Sequence, residues 1–213
     1  MLKKKVDCVL NLLKKEYPGF TTALSHKNTF QLLTATILSA QCTDYRVNIV
    51  TGPLFKKYRS AADFAGADLK TLEREIRPTG FYRNKAKNIT GAAKMILEKF
   101  GGRVPDSMEE LVQLPGVARK TANIVLSHGY GKIEGIAVDT HVRRVSYRLG
   151  LTKNHDPVKI EPDLMKITDK KEWPHLSDLL IAHGRAVCAA KKPKCPECVL
   201  GPLCPSKKIF YPG

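Results

Sequence analysis

Residues 110–126 read ELVQLPGVARKTANIVL. Leu114-Pro115-Gly116 marks a tight turn between two helical segments, because proline resists continuing a helix and glycine can take positive φ and let another backbone come close. The segment after the turn is apolar almost all round, yet its first turn carries Arg119 and Lys120. A helix N-terminus already holds the positive end of the macrodipole, so two cations there are unfavourable unless an anion sits among them. The amides at Val117 and Ala118 are expected to lack partners within the chain and to face outward as an anion site. A phosphate held at Leu114, Gly116, Val117 and Ala118 would also neutralise Arg119. Lys120 has a further possible use, since a lysine amine is a nucleophile once neutral.

The whole chain favours a polyanionic partner. Its 213 residues include 36 Lys and Arg against 20 Asp and Glu, a net charge of +16. Nucleic acid is the natural counterpart of such an excess. With 43% hydrophobic residues the chain can bury a real core. The opening MLKKKVDCVLNLLKKEYPG has no continuous apolar stretch of the signal-peptide kind. No apolar run approaches the roughly 18 residues that a membrane helix needs. The expectation is a soluble cytoplasmic, nucleoid-associated monomer with no membrane contact.

Helical spacing recurs along nearly the whole chain, and no alternating strand pattern stands out. Leu2, Val6, Val9, Leu10 and Leu13 line an opening helix that Pro18-Gly19 closes. Further helices are expected from Thr29 to about Ala40, after Thr43 with a break or kink at Gly52-Pro53, and after an Asp68 cap. YRNKAKNITGAAKMILEKF is long and amphipathic and stops at Gly101-Gly102. In PDSMEEL, Asp106 and Glu109 have the spacing of a capping box. The helix after the Pro-Gly turn should run to about His128, another should start at DTHVRRVSYRLGL, and two more should occupy 157–167 and 174–188. This is an all-α pattern of about ten helices.

Asp139 follows four small or apolar residues, GIAV, and opens a helix with Val142, Val145 and Leu149 at core spacing. Asp is favoured as an N-cap, and a capping carboxylate can still present its second oxygen elsewhere. Of six cysteines, four fall within the 17 residues from Cys188 to Cys204, a density that points to a metal rather than to disulfides. Four thiolates suit either zinc or an iron–sulfur cluster. Cys8 and Cys42 read as small buried apolar residues. His128 and His183 read as ordinary core or surface histidines.

LPGVARKTA, AVDTHV and the spacing Cys188-x6-Cys195-x2-Cys198-x5-Cys204 together resemble the endonuclease III family of helix-hairpin-helix DNA glycosylases. The resemblance runs from LLTATILSAQCTD through GFYRNKAKNI to the last cysteine, about 80% of the chain. It implies an all-α fold of two domains. One, residues 21–133, is a helical barrel containing the hairpin; the other joins 1–20 to 134–213 and carries a [4Fe-4S] cluster on Cys188, Cys195, Cys198 and Cys204. It implies a bifunctional glycosylase that removes oxidised pyrimidines from double-stranded DNA and nicks the strand at the resulting abasic site.

On this resemblance Lys120 matches the family's nucleophile and Asp139 the carboxylate that assists it. Gln41 matches the glutamine that fills the gap left by the flipped base, Asp44 its supporting acid, and Phe81 the wedge in the opposite strand. His141 helps order the site. Lys191, Lys192 and Lys194, in the loop AAKKPK, would meet phosphates. Members of the family usually read Leu-Pro-Gly-Val-Gly where this chain has Ala118. Two rivals share these features: a mismatch glycosylase of the same superfamily, which Lys120 disfavours, and a non-catalytic iron–sulfur module that binds DNA or senses redox state.

Overall fold

The computed structural model describes residues 1–211, and every regular element among them is helical. The chain divides into two compact units, Ala23–Glu134 and a second composed of Met1–Thr22 with the chain from Gly135 onward.

The second unit begins with α1 (Leu2–Glu16), whose Val6, Val9, Leu10 and Leu13 are buried on one face. Cys8 lies off that face and is exposed, which corrects its reading as a buried residue. The first unit then supplies α2 (Thr29–Leu38), α3 (Asp44–Lys57), α4 (Ala61–Ala65), α5 (Leu69–Glu75), α6 (Tyr82–Phe100), α7 (Met108–Leu111) and α8 (Arg119–Tyr130). Its core gathers Leu33, Phe64, Ile89, Leu111 and Leu126, all at most 1% exposed. Burying side chains of this size contributes about 1.5–3 kcal/mol each relative to exposure.

The caps explain most boundaries. Asn28 accepts the Gln31 amide at the start of α2, and Asp68 accepts that of Thr71 at the start of α5. α2 ends at Leu38, two residues earlier than its apolar pattern suggests. Helix α3 runs through Pro53 to Lys57 without the expected break. The carbonyl that Pro53 leaves without an amide donor belongs to Ile49, on an exposed face where water can take it. The capping box before α7 uses Ser107 and Glu110 rather than Asp106 and Glu109: Ser107 Oγ accepts the Glu110 amide and donates to its carboxylate. Asp106 instead pairs with Lys132 at 2.7 Å. Helix α8 extends to Tyr130, where the Tyr130 hydroxyl donates to the Val104 carbonyl and Gly131 ends the helix.

The second unit resumes with α9 (Thr140–Arg148), α10 (Pro157–Ile167), α11 (Trp173–Ala186) and the short α12 (Lys207–Phe210). Its core joins Leu13 of α1 to Val142, Ile160, Leu176 and Leu180. Helices α9 and α11 cross closely at Gly184: a β-carbon there would lie 2.9 Å from the His141 Cβ. Twelve α-helices occur among the described residues, against about ten expected; the additional ones are short.

Candidate active site and cysteine cavity

The Pro-Gly turn joins α7 to α8 as a helix-hairpin-helix. Leu114 and Val117 anchor it in the core, at 2% and 7% exposure, while Gly116, Ala118, Arg119 and Lys120 face solvent. Gly116 has φ +79°, and its α-carbon packs against Asn88 of α6. The Val117 amide is not free, as expected from the sequence, but donates to the Leu114 carbonyl at 3.0 Å and closes the turn. Among the described residues, the amides of Ala118, Lys120 and Thr121 meet no backbone carbonyl. These are the orphan donors of a helix start, oriented to receive an anion. Ala118 caps α8 with φ −96° and ψ 169°, extended backbone open to any residue, so alanine in place of glycine brings no strain. Lys120 is the second residue of α8 and its side chain is exposed.

Two other exposed residues of this unit stand out by backbone conformation. Gln41 and Phe81, at φ 52° and 48°, are the non-glycine residues with positive φ among the described residues. Such a conformation costs about 1–3 kcal/mol per residue and is found most often at functional sites. Phe81 is 64% exposed, so it is no core aromatic. Asp44 is half-buried at the first position of α3, and Cys42 is half-buried in the turn before it.

A buried cation lies between these turns. Lys85 is 4% exposed, and its Nζ donates to the carbonyls of Leu38 and Thr79, each at 2.8 Å. Burial lowers its pKa. The residue escapes notice in sequence because lysine is normally a surface residue. Its register offered a signal, since positions 85, 89, 92 and 96 form the core stripe of α6.

In the second unit Asp139 caps α9, as expected. Its Oδ1 accepts the amides of His141 and Val142, both at 2.8 Å. Oδ2 makes no hydrogen bond among the described residues, and the side chain is half-buried, so one carboxylate oxygen caps while the other stays available. His141 is also half-buried, and its Nδ1 lies 3.1 Å from an Arg144 nitrogen, which can only donate. Burial is the main cause that lowers the His141 pKa, with Arg144 and Arg185 adding to it, against Asp139 and a hydrogen bond to the Gly184 backbone, which raise it.

Cys188, Cys195, Cys198 and Cys204 line a single cavity with Val145, Leu149 and His183. Burial raises the pKa of Cys195 and Cys198, and each thiol is further raised by its neighbouring cysteines. Hydrogen-bond donors surround the sulfurs. Arg148 Nη1 lies 3.3 Å from Cys188 Sγ, and His183 Nε2 lies 3.3 Å from Cys198 Sγ. His183 Nδ1 meets the Tyr17 hydroxyl at 3.1 Å, and burial lowers its pKa to about 4. It is thus a core histidine, held between the Tyr17 hydroxyl at Nδ1 and the Cys198 sulfur at Nε2. Among the described residues no His, Cys, Asp or Glu group is arranged around a single ion. The fit to a metal group rests on four thiols facing one space, with N–H donors to stabilise thiolate charge.

The loop between the first two cysteines is also held by Arg148, which donates to the carbonyls of Ala189 at 2.7 Å and Ala190 at 2.8 Å. Tyr211 donates to Pro193 at 3.2 Å. Lys191, Lys192 and Lys194 are all exposed on this braced loop. Arg144, one turn before Arg148 on α9, adds a bond from its Nε to the Cys188 carbonyl at 3.0 Å; the sequence signal of the two arginines is only the run RRVSYR beside a cysteine-rich tail.

This combination of hairpin, capping aspartate and four-thiol cavity defines a helix-hairpin-helix DNA glycosylase, and comparison with known proteins agrees. Residues 34–170 match the HhH-GPD superfamily of base excision DNA repair proteins. Endonuclease III of Synechocystis sp. is 56% identical over 96% of this chain and 93% of its own length. Endonuclease III of Bacillus subtilis is 46% identical over 94% and 92%. A non-covalent endonuclease III–DNA complex superposes with a TM-score of 0.94 at 44% identity, covering 99% of both chains. A trapped endonuclease III–DNA covalent intermediate gives 0.92 at 45% identity, covering 97% of both. The chain belongs to the endonuclease III family, and with it to the bifunctional glycosylases and abasic-site lyases of base excision repair. Among the described residues no helix is long and apolar enough to cross a membrane.

Proposed function

We propose that Lys120 and Asp139 carry out removal of oxidised pyrimidines from double-stranded DNA and cleavage of the strand at the abasic site. The observation that carries this reading is Lys120 itself: an exposed amine on the first turn of the hairpin helix, beside amides free to hold a phosphate. A phosphate bound there would fix the register of the strand and bring its sugar to the amine.

The target base is first flipped out of the duplex, since C1′ cannot be reached inside the stack. Gln41 fills the gap and Phe81 enters the opposite strand, an apolar wedge between base steps. The neutral Lys120 amine then attacks C1′, and the base departs with the bonding electrons. The free Oδ2 of Asp139 stabilises the positive character of the sugar and accepts the amine proton. Cleavage of the C1′–O4′ bond, with a proton passed from Asp139 to O4′, opens the sugar and leaves a protonated Schiff base; loss of its C2′ proton then expels the 3′ phosphate by β-elimination. His141 helps order the site beside Asp139, and Asp44 supports the Gln41 turn.

The cysteine cavity supports a [4Fe-4S] cluster on Cys188, Cys195, Cys198 and Cys204, with Arg148 and His183 as donors to its sulfur ligands. Bound there, the cluster would be ligated by the four thiolates, which would tie together the chain between them. Lys191, Lys192 and Lys194 would contact phosphates on either side of the lesion.

Borohydride reduction during turnover of duplexes bearing single oxidised pyrimidines tests this function. A covalent protein–DNA adduct that requires the lesion supports it. Binding without any adduct or strand cleavage would leave only a DNA-binding module.

A further inference from the structure

Among the described residues, no carboxylate contacts the buried Lys85 ammonium. Taking a cation out of water is costly unless its protons are well used. An apolar chain of similar length would fill the same space without that cost. What the ammonium adds is a connection between two stretches far apart in sequence.

Leu38 is the last residue of α2, so its carbonyl lies at the negative end of that helix, where a cation is favoured. Three residues later comes Gln41, in its left-handed conformation. Thr79 ends the turn Arg77–Thr79, and two residues later comes Phe81, likewise left-handed. The same lysine also donates its backbone amide to the Phe81 carbonyl at 3.1 Å. One residue thus holds the base of both exposed, strained turns.

We infer that Lys85 is a positioning residue that locks the Gln41 and Phe81 turns into one rigid device for opening paired DNA. The inference rests on the proposed insertion of Gln41 and Phe81 into the duplex. Lys85 itself is buried and reaches no DNA. Its effect is confined to the step in which stacked pairs are separated. Catalysis at C1′ on a strand already unpaired does not need it.

The test compares one oxidised pyrimidine in fully paired duplex with the same lesion in an unpaired bubble, for wild type, Lys85→Met, Gln41→Ala and Phe81→Ala. A 2-aminopurine opposite the lesion reports opening through its fluorescence. The expected result is that Lys85→Met lowers kcat/KM on the paired substrate relative to the bubble by at least about tenfold and suppresses the fluorescence rise. A merely structural defect would lower both substrates together and leave their ratio unchanged, which overturns the inference. If Gln41→Ala and Phe81→Ala lower the ratio and Lys85→Met does not, the role of Lys85 is refuted while insertion stands. If those two alanine variants keep the wild-type ratio, insertion itself is refuted. Should Lys85→Met not fold, Lys85→Gln, whose arm is one bond too short to reach both carbonyls, goes through the same comparison with the same outcomes.

Discussion

Gly116 of the hairpin passes so close to Asn88 that a β-carbon at residue 116 would lie 2.8 Å from the Asn88 Cβ. The turn is therefore fixed against α6 as well as by its own hydrogen bond from Val117 to Leu114. Gly116→Ala has to adopt φ +79° and displace Asn88, so the expected loss is about 2–4 kcal/mol of stability. Urea unfolding measures it. A loss below about 0.5 kcal/mol, within the range of ordinary surface substitutions, would contradict the packing described.

Asp139→Asn separates the cap from the chemistry. Asparagine caps about as well as aspartate, so the two amides at His141 and Val142 stay satisfied and the melting temperature should remain near wild type. The carboxylate charge is lost, and base release in single-turnover experiments should slow by roughly 10²-fold or more. Wild-type base release in this variant would reduce Asp139 to a helix cap.

The hairpin and the helices were readable because their signals are local. Gly116 needs positive φ, the cysteines are clustered, and apolar residues recur every three or four positions. The features that escaped depend on contacts across the chain. Lys85 is a core residue because the carbonyls of Leu38 and Thr79 meet above α6. Arg148 supports the cysteine loop across forty residues of sequence. The Val117 amide was misread because closing the turn takes a donor that helix geometry alone would leave free. Cys8 was misread because helical spacing does not by itself put a residue on the buried face.

Acid should weaken the fold partly through His141. Burial depresses its folded pKa, whereas in the unfolded chain it takes up a proton near 6.5, the ordinary imidazole value. The unfolded state then binds more protons, so the contribution to stability is complete above about pH 6.5 and is lost as pH falls toward the folded value. His141→Asn keeps an acceptor for Arg144 and does not titrate. Its stability, from urea midpoints between pH 7.5 and 5, should fall less steeply than that of wild type. Parallel curves would contradict the assignment of a buried neutral imidazole.

The cysteine tail should bring both colour and DNA affinity. Purified protein is expected to be yellow-brown with about four irons per chain. One zinc and no iron would refute the cluster. Lys191→Ala should weaken binding to all duplexes alike and reduce the log–log salt slope by about one, the effect of one phosphate contact. An unchanged slope would remove the 189–194 loop from the interface.

Lys120→Gln is the most direct test of the central claim. The hairpin donors are backbone amides and survive the substitution, so affinity for lesion-bearing duplex should stay close to wild type. Borohydride should trap wild-type protein on that duplex and leave Lys120→Gln untrapped, with no strand cleavage. A Lys120→Gln protein that still cross-links to damaged DNA would place the nucleophile elsewhere and contradict the account.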